Sequence, residues 1–190
     1  AGLTYTNSST ERVYWDSTGT RRSAVANEPI FETLNGVAQG MRWEMEARTN
    51  LATNSEGAAA TWTVSNVSDA GTPIAGFSQS LQFGDNAAAR YAYKSASVTS
   101  GTIYTTSIFV QMDDGLAPIV GSNSTSGDFV IITASNISTN IESRRIVGNI
   151  YRISARSTAG STASLPCGIY KYATQSARTF RVIGIQVEAA

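Results

Sequence analysis

The aromatic residues are the side chains of this sequence whose spacing could bind a ligand. Tyr91 and Tyr93 are two positions apart, as are Tyr170 and Tyr172, so on a β-strand each pair points to one face. A flat ring can stack on the apolar face of a pyranose while neighbouring hydroxyls and amides bond the sugar hydroxyls. These tyrosines and Trp62 are therefore the candidate glycan-binding residues. Partial burial in a β-sandwich core explains the same spacing, and the sequence leaves that alternative open.

The sequence lacks most of the side chains that usually carry out catalysis. The chain has no histidine, which removes the commonest general base, the usual catalytic triads and most zinc sites. Its one cysteine, Cys167, has no Cys-His partner, and we expect it to be a small buried apolar residue. The fourteen acidic residues could supply the carboxylate pair of a glycosidase, but no spacing singles out a pair. We expect no enzyme, and a polysaccharide depolymerase is the alternative that these carboxylates leave open.

We expect neither a metal site nor a cofactor. Asp113-Asp114-Gly115 offers clustered oxygens that calcium could use, but the same residues are typical of a tight turn. We predict the turn and no metal at this position. No glycine-rich phosphate-binding string occurs in the sequence, so we predict no cofactor.

The charge balance argues against two classes of partner. Fourteen Lys and Arg match fourteen Asp and Glu, and charged residues make up 15% of the chain. Neither sign forms a run, so the sequence has no basic patch for nucleic acid or for an anionic membrane surface. No apolar stretch approaches the roughly 20 residues that cross a bilayer, and we expect no membrane insertion.

Short apolar segments separated by turn formers make up the chain after Asn50, and helical periodicity is nearly absent. The predicted strands are 61–64, 77–83, 90–94, 102–111, 129–133, 146–155, 168–172 and 179–187. Apolar residues occupy both faces of 103–110, which predicts a central strand whose aromatic residues are core. Without helices between the strands, the pattern predicts an all-β fold, an antiparallel β-sandwich.

The sequence pattern of residues 1–48 differs from that of the rest of the chain. The stretch 41–46 alternates strictly, which places three large apolar side chains on one face: Met41, Trp43 and Met45. Such a face must be covered, either by the same chain or by a neighbouring subunit. We therefore predict an extended N-terminal β segment at 1–48 for attachment and assembly, followed by the β-sandwich domain at 49–190, which the resemblance described next implies is a jelly roll.

Seven segments of the chain form a pattern of their own, and they are 5–10, 14–19, 24–31, 46–56, 100–110, 148–155 and 184–189. Together these segments resemble a recurring pattern of phage tail and prophage structural proteins. Their order and spacing follow the pattern along nearly the whole chain. The most specific parts are Arg48-Thr49-Asn50-Leu51 and the ending Gln186-Val187-Glu188.

The resemblance implies a jelly roll of the carbohydrate-binding-module type in a virion, on a tail fibre or a related appendage. It implies other virion proteins as partners, a homo-oligomer with a trimer favoured, and a host surface glycan as ligand. Two alternatives remain at this point. One is a purely structural capsid decoration or head-fibre protein that binds no glycan, and the other is the depolymerase.

Overall fold

The structure is a computed structural model of the 190-residue chain. It describes residues 12–16, 21–24, 30–34, 37–42, 51–52, 57–74, 79–133, 136–137 and 140–189. Every regular element in these ranges is a β-strand, so the all-β prediction is confirmed. The same ranges contain no helix with the length and apolar character to cross a membrane.

The strands form two short hairpins and two larger sheets. In chain order they are β1 Arg12–Trp15, β2 Arg21–Ala24, β3 Ile30–Leu34, β4 Val37–Arg42, β5 Thr63–Ser65, β6 Val67–Asp69, β7 Leu81–Phe83, β8 Arg90–Val98, β9 Ile103–Met112, β10 Val130–Thr133, β11 Asn136–Ile137, β12 Ile141–Val147, β13 Ile150–Thr158, β14 Ala163–Lys171 and β15 Phe180–Ala189. The hairpins are β1-β2 and β3-β4. A five-stranded sheet has the order β11-β10-β14-β8-β5, and a six-stranded sheet has the order β12-β13-β9-β15-β7-β6. Neighbouring strands in both sheets are antiparallel.

The core lies between the two sheets and takes alternate residues from both. Ala92 and Ile169 of the five-stranded sheet and Ile108 and Val182 of the six-stranded sheet are fully buried in it. Cys167 is also fully buried there, as predicted. Because side chains alternate along a strand, the residues between these core positions point to the outer face of each sheet.

The prediction of a central strand at 103–110 is confirmed. Strand β9 lies between β13 and β15 in the six-stranded sheet. Its Ile108 belongs to the main core, whereas Phe109 packs on a second cluster of Ile74, Ile150 and Ile183. Apolar residues on both faces of the segment therefore reflect packing on both faces of the sheet.

The prediction of a single strand at 146–155 is wrong. Strand β12 ends at Val147 and β13 begins at Ile150, and the two form a hairpin. Gly148 in the turn has φ +52°, a conformation that glycine adopts without steric cost. Apolar residues stand on both sides of the turn, so the sequence pattern looks continuous across it.

Strand β15, near the end of the sequence, contains a β-bulge that decides which face its residues point to. The register between β15 and β9 shifts between Ile183 and Gln186, and Gly184 has φ +69°. The extra residue sends Ile183 into the smaller cluster and Ile185 into the main core. Beyond it, the Gln186 side-chain amide donates to the Glu188 carboxylate at 2.8 Å.

The chain has joined the sandwich by Leu51. The backbone N–H of Leu51 donates to the carbonyl of Val187 at 2.8 Å, and Ala52 belongs to the core. Strands β1 to β4 come earlier and belong to neither large sheet, although β3 contacts β12. The division at residue 48 stays a prediction.

The three proposed assembly residues fall mostly outside the described part of the chain. Trp43 and Met45 lie in an undescribed stretch, and for Met41 only the backbone, within β4, is described. Strand β4 runs from Val37 to Arg42, so it overlaps the predicted strand 41–46 only at its end. The assembly role of these residues stays a prediction.

Candidate functional site

Strand β8 turns two tyrosines away from the core. Ala92, Ala96 and Val98 are buried in the core cluster, so Tyr91 and Tyr93 point to the outer face of the five-stranded sheet. Both tyrosines are half-buried, which leaves part of each side chain in contact with solvent.

Strand β14 brings the second tyrosine pair to the same face. Cys167 and Ile169 face the core, so Tyr170 points outward, and in the β8–β14 register it lies directly opposite Tyr91. Tyr172 follows immediately after the last residue of the strand and is also half-buried.

The four rings form one continuous run. Tyr93 and Tyr91 have ring centroids 5.7 Å apart, Tyr91 and Tyr170 are 5.5 Å apart, and Tyr170 and Tyr172 are 4.3 Å apart. Successive ring planes are inclined by 31°, 28° and 33°. The structure therefore joins the two predicted pairs into a single surface, which we call the tyrosine face.

Hydroxyl groups border the tyrosine face on the β5 side and along β8. Val64 packs against the core, so its neighbours Thr63 and Ser65 point outward, and they pair in register with Tyr93 and Tyr91. Along β8 the outward positions after Tyr93 are exposed serines, Ser95 and Ser97. The described strand residues that point to this side of the sheet carry no charged group. The face thus offers aromatic rings, hydroxyls and neutral polar groups.

Gly168 occupies the one place on β14 where a side chain would collide with the neighbouring strand. It pairs with Tyr93, and a Cβ atom on Gly168 would lie 2.3 Å from the Ala92 carbonyl oxygen and 2.8 Å from the Tyr93 Cβ. Only glycine fits this close approach, so Gly168 fixes how Tyr93 sits on the sheet.

The predicted Asp113-Asp114-Gly115 turn is confirmed. The N–H of Gly115 donates to the Met112 carbonyl at 3.2 Å, and Gly115 has φ +76°. The two carboxylates contact arginines: Arg178 donates to both oxygens of Asp114 at 2.7 and 2.9 Å, and Arg181 donates to Asp113 at 3.2 Å. Hydrogen bonding to Arg178 lowers the pKa of Asp114 to about 2. In the described ranges no group of three or more Cys, Asp or Glu residues could hold a metal ion.

Arg178 also reaches a buried acid. Asp128 is 1% exposed, and its Oδ2 accepts from Arg178 at 2.6 Å and from the N–H of Ile119 at 2.7 Å. Its Oδ1 accepts from the Ser176 hydroxyl at 2.5 Å. Asp114, Arg178 and Asp128 therefore fix the loops at the end of the sandwich where β14 stops and β15 begins.

The ammonium group of Lys171 does not lie on the tyrosine face. The side chain is fully buried on the core side, where its ammonium donates to the Arg178 carbonyl and lies 5.3 Å from the centre of the Phe180 ring. Desolvation lowers the pKa of Lys171 below its ordinary value. The cation thus lies behind the strand that carries Tyr170.

Trp62 does not belong to the candidate site, which corrects the prediction. It is 5% exposed and is part of the core cluster, so its ring is not available for stacking on a sugar. The residue directly precedes β5, and there the core residues cover its large apolar ring. The isolated position of Trp62 in the sequence did not distinguish these two roles.

Sequence reasoning missed several residues that shape the site. Thr63 lies in the predicted strand 61–64 and Ser65 directly follows that segment, but their partners across the sheet were not predicted. Gly168 was noted only as the start of a predicted strand, although a glycine within a strand is a signal of close backbone approach. Gln175, which holds the loop after β14, carries no local sequence signal of its role.

Comparisons with known proteins identify the fold. No protein-family model matches the chain, and no curated protein matches it. The fold is similar to that of the N-terminal CBM22-1–CBM22-2 tandem domain of Xyn10C from Paenibacillus barcinonensis, with 16% identity and a TM-score of 0.50 over 76% of this chain and 47% of that chain.

Two further solved structures match over a similar share of the chain. The CBM22-1 xylan-binding domain of the same Xyn10C matches at 16% identity and a TM-score of 0.47, covering 77% of this chain and 97% of that domain. The CBM22-1–GH10 modules of Clostridium thermocellum Xyn10B, complexed with xylohexaose, match at 16% identity and a TM-score of 0.48. The match with these modules covers 77% of this chain and 29% of that chain. The match with a TM-score of 0.50 and the two antiparallel sheets give the chain the β-sandwich jelly-roll fold of CBM22 domains. The resemblance to phage proteins stays a prediction.

Proposed function

We propose that the protein binds a carbohydrate chain on the tyrosine face. The observation that carries this proposal is the unbroken run of four half-buried rings from Tyr93 to Tyr172, each adjacent pair within 5.7 Å. Aromatic rings that are partly open to solvent and bordered by hydroxyls suit a ligand that is apolar on its ring faces and polar at its edges. A sugar chain has this character along its whole length.

The fold supports the same function. The structural neighbour with a TM-score of 0.50 consists of CBM22 modules, and another similar structure is named a xylan-binding domain. At 16% identity these likenesses concern the fold, so the binding proposal for this chain rests on its own tyrosines.

The surroundings of the tyrosine face favour binding without cleavage. Glycoside hydrolysis needs two carboxyl groups on either side of the bond that breaks. The described residues that point outward around the rings include no Asp or Glu, and Asp114 and Asp128 are held by Arg178. We therefore propose a non-catalytic binding module over a depolymerase.

The resemblance to phage tail proteins favours a virion as the setting of this module. In that setting the ligand is a host surface glycan and the partners are other virion proteins. A capsid decoration or head fibre without glycan binding is the second candidate function, favoured by the same resemblance. Electron microscopy of virions with and without the protein would show whether density is lost from the tail, from the capsid or from neither.

The proposal is tested by affinity electrophoresis in gels that contain soluble polysaccharides. Xylan, mixed-linkage β-glucan, glucomannan and bacterial envelope polysaccharides form the panel. We expect the wild-type protein to be retarded by at least one of them and Tyr170→Ala to lose at least tenfold in affinity. The matched control is Tyr151→Ala, because Tyr151 is a half-buried tyrosine of the six-stranded sheet that packs on the core. If no polysaccharide retards the wild-type protein, or if the two variants behave alike, the tyrosine face is not a carbohydrate site.

A further inference from the structure

Gln175 connects Tyr172 to a neighbouring loop. Its side chain is 4% exposed, and its Oε1 accepts from the backbone N–H of Tyr172 at 2.8 Å. Its Nε2 donates to the carbonyl of Ser126 at 2.7 Å and to that of Asn123 at 3.4 Å. The buried amide therefore accepts a hydrogen bond from the last tyrosine of the run through its oxygen and donates hydrogen bonds to the loop through its nitrogen.

The loop formed by residues 121–127 is fastened to the same segment at further points. The Thr174 hydroxyl donates to the Ser124 carbonyl at 2.5 Å, and the N–H of Ser176 donates to the Gly127 carbonyl at 3.1 Å. The fit is close, since a Cβ atom on Gly121 would lie 3.0 Å from the Gln175 Nε2. The loop and the chain that follows Tyr172 therefore form one hydrogen-bonded unit.

This loop carries neutral hydrogen-bonding groups at its surface. Ser122, Asn123 and Thr125 are exposed, and the stretch 121–127 contains only Gly, Ser, Asn and Thr. The Asn123 Oδ1 accepts from the N–H of Thr125 at 2.9 Å, which holds the side chain in place. Exposed amide and hydroxyl groups of fixed position suit the hydroxyls of a sugar.

We propose that Gln175 is a positioning residue of the carbohydrate site, and that the loop 121–127 is an additional polar subsite beyond Tyr172. This inference rests on the proposed function of the tyrosine face. A chain long enough to pass over Tyr170 and Tyr172 meets the loop, where Asn123 bonds its hydroxyls. A shorter chain binds on Tyr91, Tyr93 and Tyr170 without reaching it.

The test is a comparison of affinity with chain length. Isothermal titration calorimetry is carried out with the trisaccharide and the hexasaccharide of xylan, and with those of any other polysaccharide that retards the wild-type protein. Three variants are compared with the wild type: Gln175→Leu, which keeps the size and removes every side-chain hydrogen bond; Gln175→Glu, which keeps the acceptor for Tyr172 but loses the donor; and Asn123→Ala. The matched control is Asn140→Ala, an exposed asparagine next to β12.

We expect a length-selective loss. Gln175→Leu and Asn123→Ala should lower hexasaccharide affinity about tenfold and leave trisaccharide affinity within about twofold, as loss of one or two hydrogen bonds predicts. Gln175→Glu should show an intermediate loss, and Asn140→Ala none. Asn123 is exposed, so its variant tests the subsite even if Gln175→Leu does not fold.

Three results would count against the inference in different ways. If the wild type binds no sugar, the proposed function and this inference fail together. If the wild type binds but Asn123→Ala and Gln175→Glu keep its length profile, the inference alone is overturned. A loss of equal size for both chain lengths would also overturn it, since a general effect on the fold produces that pattern.

Discussion

Tyr91 and Tyr170 lie directly opposite each other on strands β8 and β14, and their ring centroids are 5.5 Å apart with an angle of 28° between the planes. The pair is the link between two tyrosine pairs that are far apart in the sequence. Its geometry is that of an offset stack, an arrangement that stabilises a sheet beyond the area it buries.

A double-mutant cycle measures this contact. We expect Tyr91→Ala and Tyr170→Ala to couple by about 0.5–1.5 kcal/mol in the free energy of unfolding, because each ring loses its stacking partner when the other is removed. Urea denaturation of the single and double variants gives the value. A cycle of Tyr91→Ala with Tyr151→Ala, on different sheets, should be additive, and equal coupling in both cycles would contradict the stacking account.

Gly168→Ala should destabilise the five-stranded sheet. The added methyl would lie 2.3 Å from the Ala92 carbonyl oxygen, so the backbone of β8 or β14 must shift, at a cost of about 1–3 kcal/mol. Urea denaturation measures this cost, and the polysaccharide gels should show weaker binding because Tyr93 moves. Gly160→Ala is the matched control, since a Cβ atom there has nothing within 4 Å. Equal stability of the two variants would show that Gly168 is not constrained.

Asp128→Ala should be strongly destabilising. The carboxylate is 1% exposed and accepts from Arg178, from the Ile119 N–H and from the Ser176 hydroxyl. Removing it takes a buried acceptor away from three donors, one of them the charged Arg178 guanidinium, and we expect a loss of about 3 kcal/mol or more in the free energy of unfolding. Asp85→Ala is the comparison, because Asp85 is an exposed acid paired with Arg90 and should cost far less. Similar losses in the two variants would contradict this account.

Acid should weaken the fold through Asp114 and Asp85. The Arg178 hydrogen bond lowers the pKa of Asp114 to about 2. Hydrogen bonds from the Ala87 N–H, which has the larger effect, and from Arg90 lower the pKa of Asp85. Because both folded pKa values lie below the unfolded ones, their contribution is complete above pH about 4 and is lost as the pH falls, in the case of Asp114 towards about 2. Urea midpoints measured across this range should fall for the wild type and fall less for Asp114→Asn. The same acid dependence in Asp114→Asn would remove Asp114 from the explanation.

The order of strands in the sheets could not be predicted from the sequence. Segments 102–111 and 179–187 correspond closely to β9 and β15, because a long apolar pattern bounded by turn residues depends on local chemistry. Strand β12 was missed because its residues Glu142 to Arg145 are exposed and all but Ser143 are charged, which is typical of a sheet edge. The break at Gly148 was missed because apolar residues flank it on both sides.

The sequence by itself determined the fold class and the fact that each tyrosine pair lies on one face of its strand, whereas the structure decided that this face is the outer one. Alternation along β8 and β14 separates Tyr91 and Tyr170 from core residues such as Ala92 and Ile169, and this period follows from strand geometry alone. Only the tertiary structure decided that these strands are neighbours with Tyr91 opposite Tyr170, because their pairing joins residues far apart in the chain. The tertiary structure also decided that Trp62 is core, since burial depends on which strands close over a ring and not on the residues beside it.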